Sequence, residues 1–493
     1  MPRAKAVLLS SGRINRIFSD DRPRDISLKG LRVLDCKGNT LLPGFVDAHC
    51  HLQSFVESFL HIDLSPEAGI RSIVDIKEKI HEACSRTKDG TWIKARGYDE
   101  WYLEEKRHPT RFDLDEVSPL HPVKLSHRTG QVHVLNTLGL KMTGITSDTE
   151  DPEGGLIERD LETGLPTGLL FGMGGFLSCR IPAVEKEEFE KALKLATGKL
   201  LSMGITFLND CTSHNDLRSL LRFDELKENG LIAPGLRVMV GLEAFEQGGI
   251  EESRIHSVSL GGVKILIHRA SGRFSPEPER LIRGVEKVHK SGLQLAIHAI
   301  EEAEIALALE ALEHATRKDP KPHRHRLEHC SLCSEKLLGR IRSLGPVVVS
   351  QPAFLYLNGD RYWETIPEPD RPSLYRLRSF LESGIRLAVG SDFPVGHPNP
   401  MLSIYACLSR KSRGGKLLEG SERIGLEQAV AIHTVCAAFA CFEEQKRGSV
   451  EPGKAADLVL LNENIEGLSI EEIKDVTPKL TILGGEIVYG GVD

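Results

Sequence analysis

The sequence predicts an α/β fold, a (β/α)8 TIM-type barrel accompanied by a small β-rich domain, on three observations. Between residues 45 and 448, apolar strand-like runs alternate with amphipathic helical stretches, the pattern of a parallel sheet covered by helices. The runs of clear strand character number eight, the count that closes such a barrel. Both chain ends, residues 1–44 and 449–493, read instead as short strands separated by tight turns.

In order along the chain, the N-terminal segment offers Ala6–Leu9, a Gly12 turn, Ile14–Phe18, and Leu31–Asp35 before a Gly38-Asn39 turn. Gly44–Ala48 opens the barrel. Residues from about 55 to about 200 exceed what one βα step needs. Pro/Gly-rich turns at 151–155 and 164–168 punctuate them, so they include an insertion expected to cap the active site. The remaining strands are expected at Thr206–Asn209, Leu236–Val240, Val263–Ile267, Leu293–His298, Arg326–Glu328, Val347–Gln351 and Ile385–Gly390. Helices are expected over Glu185–Met203, Pro278–Ser291, Glu301–Ala315, Ser334–Ser343, Ser373–Glu382 and Leu426–Phe439. The C-terminal strands Asp457–Leu461, Leu480–Leu483 and Glu486–Tyr489 then return to the texture of the N-terminus. Pairing of such distant segments is affordable because loop-closure entropy grows slowly with length.

With 493 residues, 40% hydrophobic and 27% charged, the chain has the make-up of an ordinary globular protein with room for a large barrel. A net charge of −7, without a basic stripe interleaved with aromatics, argues against nucleic-acid or anionic-membrane partners. No apolar run approaches the roughly 20 residues that span a bilayer. The stretch Val7–Leu9 is too short for a secretory leader. The ten cysteines are irregularly spaced, and Cys330 and Cys333 form a lone C-x-x-C, a weak signal for zinc or redox work. Reduced thiols and a cytoplasmic location are expected.

The chemistry is concentrated at strand ends. His49 and His51 close the first barrel strand one residue apart, so alternation points both imidazoles the same way. His298 and His329 close later strands, Asp392 follows Leu-Ala-Val-Gly-Ser, and Lys264 interrupts the apolar run Gly-Gly-Val-Lys-Ile-Leu-Ile. Singly, each has an ordinary reading: a satisfied core histidine, a helix-capping aspartate, an edge lysine. Together, four histidines, an aspartate and a lysine converge on the C-terminal face of a barrel, where active sites of this fold lie. Neutral imidazoles hold zinc or a similar divalent ion. Such an ion acidifies a water and polarises a carbonyl. A carboxylate alongside can take the water's proton and pass it to a leaving group. A lysine carbamylated by CO2 would bridge two such ions.

These residues resemble the amidohydrolase superfamily, metal-dependent hydrolases on a (β/α)8 barrel with a β-sandwich built from both termini. The resemblance is carried by Pro-Gly-Phe-Val-Asp-Ala-His-Cys-His (43–51), His298, His329, Gly-Ser-Asp (390–392) and Gly448 to Val459. Further motifs resemble the YtcJ-like branch, which includes N-substituted formamide deformylases. They are Gly97-Tyr98-Asp99, His108-Pro109-Thr110-Arg111, Gly164 to Leu170, Arg326-Leu327-Glu328-His329, Ser350-Gln351-Pro352 and Gly390 to Val395. The resemblance implies a composite sandwich of 1–44 plus 449–493 and a barrel over 45–448. It implies His49, His51, His298, His329 and Asp392 as metal ligands, with Asp392 also the catalytic acid/base. One divalent ion, zinc foremost, is implied, or two if Lys264 is carbamylated. His323 and His325 compete with His329, which is preferred for its Arg-x-Glu-His context and its place at the strand exit.

This chain departs from the branch pattern in three places. Glu301-Glu302 follows Ile300 where Gly-Asp is usual, His268-Arg269 replaces an Asp-Gly turn, and Gln131 stands where histidine is common. His268 is thus an extra ligand, a substrate contact or structural. With Arg269, Trp101 and Phe354 it makes up the expected substrate-binding set. The leading function is hydrolysis of an amide, N-acyl or N-formyl C–N bond of a small molecule. The alternatives are cyclic-amide or deaminase-type hydrolysis, and a catalytically silent metal-binding protein. A homodimer is the expected assembly.

Overall fold

Eight parallel strands form one sheet in sequence order: β1 (Phe45–Cys50), β2 (Ile205–Asp210), β3 (Gly235–Gly241), β4 (Ser259–Leu266), β5 (Leu295–Ala299), β6 (Arg326–His329), β7 (Val347–Ser350) and β8 (Leu387–Val389). The computed structural model describes residues 4–20, 30–152, 154–248, 255–270 and 272–491; Glu153, in the expected 151–155 turn, lies outside them. The sheet is a nearly closed TIM-type barrel. Its ends meet beyond β8, where the amide of Asp392 donates to the His49 carbonyl (2.8 Å) and that of His51 to the Phe393 carbonyl (2.9 Å). Gly390 makes this approach possible. A Cβ there would lie 2.3 Å from His49 Cβ and 2.5 Å from its nitrogen. Gly390→Ala should therefore cost about 1–3 kcal/mol by overpacking. The exposed Gly467, with nothing within 4 Å of its virtual Cβ, serves as the control. Equal melting temperatures for Gly390→Ala and Gly467→Ala would contradict this reading.

The helices follow from their apolar spacing. Pro278–Ser291 buries Leu281, Val285 and Val288, starts on Pro278 and ends at Gly292 in the left-handed region. Two expected helices are cut short for visible reasons. Only Leu377–Glu382 forms within Ser373–Glu382, because the buried Arg410 guanidinium takes the carbonyls of Leu374 (2.8 Å) and Tyr375 (2.7 Å). The run Leu426–Phe439 splits into Leu426–Ile432 and Val435–Ala440, since the His433 carbonyl accepts from the Val46 amide of β1 (3.0 Å). Leu31–Asp35 forms no strand. Leu31 and Val33 are exposed there and find no apolar face.

Chain contacts divide the molecule into two compact units, Met1–Leu52 with Ala196–His268 and Glu277–Asp493, and Gln53–Leu195 with Arg269–Pro276. The first holds the barrel and two small sheets. A hairpin (Ala6–Ser10, Arg13–Phe18) and a four-stranded sheet (Leu41–Pro43, Leu458–Leu461, Pro478–Leu483, Glu486–Gly490) share an apolar cluster of Ile14, Ala456, Leu458 and Ile482. The second has its own mixed six-stranded sheet, with Val123–His127 and Val132–Leu135 at its centre, and its own core. Among the described residues, no helix is long and apolar enough to cross a membrane.

His323 and His325 stand at the entrance of β6, the opposite end from its exit at His329, so they do not compete for the site. There the His325 ring accepts from the Leu295 amide (3.1 Å) and donates to His289 Nδ1 (2.8 Å), and His289 Nε2 donates to the Asp319 carbonyl (2.8 Å). Burial pushes His325 down to about 3, with His323 and His289 adding to the effect. The sign follows from proton binding: the unfolded chain, with a histidine pKa of about 6.5, takes up a proton that the folded one refuses. This stability is complete above about 6.5 and is lost as pH falls towards about 3. The urea midpoint of wild type should fall more between about pH 7.5 and about pH 5 than that of His325→Gln. Parallel falls would contradict it.

Candidate metal centre

β1 places Asp47 and His49 on the barrel's inner side, and His51 follows where the chain leaves the strand. His51 Nε2 lies 3.0 Å and His49 Nε2 3.6 Å from Asp392 Oδ1. These three ligand atoms lie within 4.8 Å of one another. His329 joins them, its ring 5.0 Å from His49 and 4.4 Å from His298. His49, His329, Asp392 and Lys264 are buried, whereas His51 (24% exposed) and His298 are partly open, so the cluster has one accessible side. Five of the expected ligands are thus gathered by four strands.

The backbone is bent to achieve this. His329 has φ +73°, Cys330 +48° and Asp392 +58°, left-handed values that cost non-glycine residues on the order of 1–3 kcal/mol each. Simple alternation along β6 points Arg326 and Glu328 inwards and His329 outwards. The turn at His329 brings it to the site as well. Strain of this kind, at the exits of β6 and β8, is the sort that clusters at functional sites.

The flanking groups orient the rings. His51 Nδ1 meets Thr212 Oγ1 (2.9 Å), His329 Nδ1 meets Gln351 Oε1 (2.7 Å), and His49 Nδ1 meets Glu328 Oε2 (2.5 Å). Asp210 accepts from the Leu52 amide (2.6 Å) and the Thr212 amide (3.0 Å), tying the exit of β1 to that of β2. Asp47 accepts from the Ser391 hydroxyl (2.6 Å) and amide (3.0 Å), which fixes the loop carrying Asp392.

The charge states suit a cation. Burial, with Lys264 nearby, pushes His49 down to about 3 against the pull of Glu328. Burial likewise lowers His298, with His329 and Lys264 adding to it, and His329, against Asp392. Burial would raise Asp392, but the His51 hydrogen bond and the imidazoles of His49 and His329 hold it well below the usual carboxylate range. His49, His298 and His329 thus offer neutral nitrogens and Asp392 an anionic oxygen, the forms that ligate. Lys264 is buried, its Nζ has no hydrogen-bond partner among the described residues, and burial lowers its pKa. The residues present fit a divalent ion.

Among the described residues, two other groups bring possible ligands together. His49, Cys211 and Glu328 converge deeper in the barrel, but Arg326 already donates to both the Glu328 carboxylate and the Cys211 sulfur (3.6 Å). In the second unit, Asp99, Glu100 and His127 converge, with Arg128 Nε on Asp99 (2.5 Å).

A family model described as "Amidohydrolase family" matches residues 32–489. The chain belongs to the amidohydrolase family. Among curated relatives of this amidohydrolase, N-substituted formamide deformylase of Arthrobacter pascens is 27% identical over 99% of the chain and 95% of its own length. The putative amidohydrolase YtcJ of Bacillus subtilis is 26% identical over 99% and 96%. These two place the amidohydrolase in the YtcJ-like branch. An uncharacterized metal-dependent hydrolase of Pyrococcus horikoshii shares the fold, with TM-score 0.74 and 23% identity over 94% of this chain and 95% of that one.

The expected substrate contacts are dispersed. His268 follows β4 in the barrel unit, close enough to Glu304 to act on its charge. Arg269 is exposed in the second unit, its guanidinium 5.4 Å from the Phe274 ring centre, and Trp101, in the same unit, lies under Lys106. Phe354 is buried in an apolar cluster with Leu355, Leu374, Tyr375 and Leu418, a packing position. Glu328 and Gln351 stood in motifs that carry the resemblance but were given no role, and Thr212 was not singled out by sequence. For Glu328 a signal existed: Arg326 and Glu328, two apart in a short strand of the barrel, must share one face.

Proposed function

We propose that this amidohydrolase uses a divalent ion, zinc foremost, to hydrolyse the C–N bond of an N-acyl or N-formyl amide on a small molecule. The observation that carries this is the convergence of His49, His51 and Asp392 on one point, with His298 and His329 beside it. The deformylase named for the curated relative supports an amide as substrate. His49, His51 and Asp392 would hold the ion, with His298 and His329 completing the set. When bound, the ion supplies a Lewis acid that acidifies water and polarises the carbonyl. Asp392, anionic and next to His51, takes the proton from the attacking water and returns it to the departing nitrogen, so the amine leaves neutral. His51 and His298 line the open side, through which substrate enters. Lys264 stays an amine with one ion and becomes a carbamate if a second is held. His268, at the exit of β4, would contact the substrate's acyl or amine portion.

The test is a panel of linear N-formyl and N-acyl amines, cyclic amides and ring amines, assayed for free amine, ring opening and ammonia. Amine release from the linear amides is the expected result. Ammonia from ring amines, or ring opening alone, would overturn the choice of bond while leaving the metal centre standing.

A further inference from the structure

Arg326 and Glu328 are both completely buried inside the barrel. Arg326 Nε donates to Glu328 Oε1 (2.7 Å) and Nη2 to Oε2 (2.9 Å), a two-pronged pair. The same Nη2 donates to the carbonyl of Ala48 (2.8 Å), the residue before His49. Glu328 Oε2 receives His49 Nδ1 at 2.5 Å. His49 is thus gripped twice, at its ring by the carboxylate and through its preceding peptide by the guanidinium.

A fully buried ion pair is a poor way to add stability, because desolvating both charges offsets their attraction. Its value lies in what the carboxylate does to the ring. An anion facing Nδ1 keeps the proton there, leaving the Nε2 lone pair on the side of Asp392, and makes that nitrogen a stronger donor. At Nδ1, His51 and His329 have uncharged partners, Thr212 and Gln351. The anionic partner falls to the more enclosed ring of the β1 pair.

We infer that Glu328, held by Arg326, is a positioning residue that sets the affinity of the site for its divalent ion by fixing His49 as an Nε2 donor. The inference rests on the metal-centre reading above. It assigns a function to the Arg-x-Glu part of the motif that ends in His329: this part serves the histidine of another strand, 279 residues away.

The experiment measures Zn2+ affinity by competition with a chromophoric chelator, and the absorption spectrum of Co2+-loaded protein, neither of which requires turnover. Glu328→Gln should weaken Zn2+ binding by about 10–100-fold and shift the Co2+ bands. In a His49→Asn background, the same substitution should change Zn2+ affinity no further, because its effect passes through His49. Arg326→Met/Glu328→Gln, which removes both buried charges together and leaves no lone ion, should show the same loss if the single variant folds poorly. Unchanged Zn2+ affinity in the variants, or an equal further loss in the His49→Asn background, would overturn the inference alone. Wild-type protein that takes up no Zn2+ would overturn the metal-centre reading and this inference with it.

Discussion

Asp392→Asn is expected to lower kcat by about 10²–10⁴-fold, the range that general acid–base groups supply. The amide keeps the size and much of the hydrogen bonding of the carboxylate but cannot shuttle a proton. Asp392 sits on a left-handed backbone (φ +58°) anchored by its amide to the His49 carbonyl, and the neighbouring loop is held by Asp47. The fold and the bound ion should therefore largely survive. Metal content and melting temperature, measured beside kcat, separate loss of chemistry from loss of site. Turnover at the wild-type rate would remove Asp392 from the acid/base role.

Arg326→Met should produce the largest loss of stability of any single substitution discussed. It strips Glu328, a fully buried carboxylate, of its two-pronged partner and leaves it the His49 hydrogen bond and the more distant charge of Lys264; breaking such a pair from one side costs about 3–5 kcal/mol. Arg326→Met/Glu328→Gln should recover much of this, since no lone charge remains. The thermal or urea midpoints of the two proteins decide the matter. If the double variant is no more stable than the single one, the penalty does not come from an unpaired charge.

The barrel was legible because its strands are buried on both faces and so read as nearly continuous apolar runs, as in Val347–Ser350. The candidate ligands His49, His51, His298, His329 and Asp392 were legible as polar residues ending such runs, where this architecture puts its chemistry. What the sequence did not disclose depends on contacts between distant residues. The break at His433 exists because β1 takes a helical carbonyl, and the early stop before Leu377 exists because Arg410 takes two. His325 and His329 look equivalent by strand parity. They are separated by the length of β6, and the positive φ at His329, which no local pattern announces, turns the chain there. The mixed sheet of the second unit was hidden for a different reason. Its strands are short, and its pairing changes from parallel between Ile93–Tyr98 and Val123–His127 to antiparallel between Val123–His127 and Val132–Leu135.

The central claim is that the strand-end histidines and Asp392 hold a divalent ion. It is tested most directly by elemental analysis of protein purified without added metal, beside the His49→Ala/His51→Ala double variant. About one or two equivalents of zinc, iron or manganese in the wild type, lost in the variant, is the predicted result. Two equivalents would add a carbamylated Lys264, visible as a mass increment under native conditions. No metal in either protein, even after reconstitution, would contradict the account and leave the barrel as a catalytically silent scaffold.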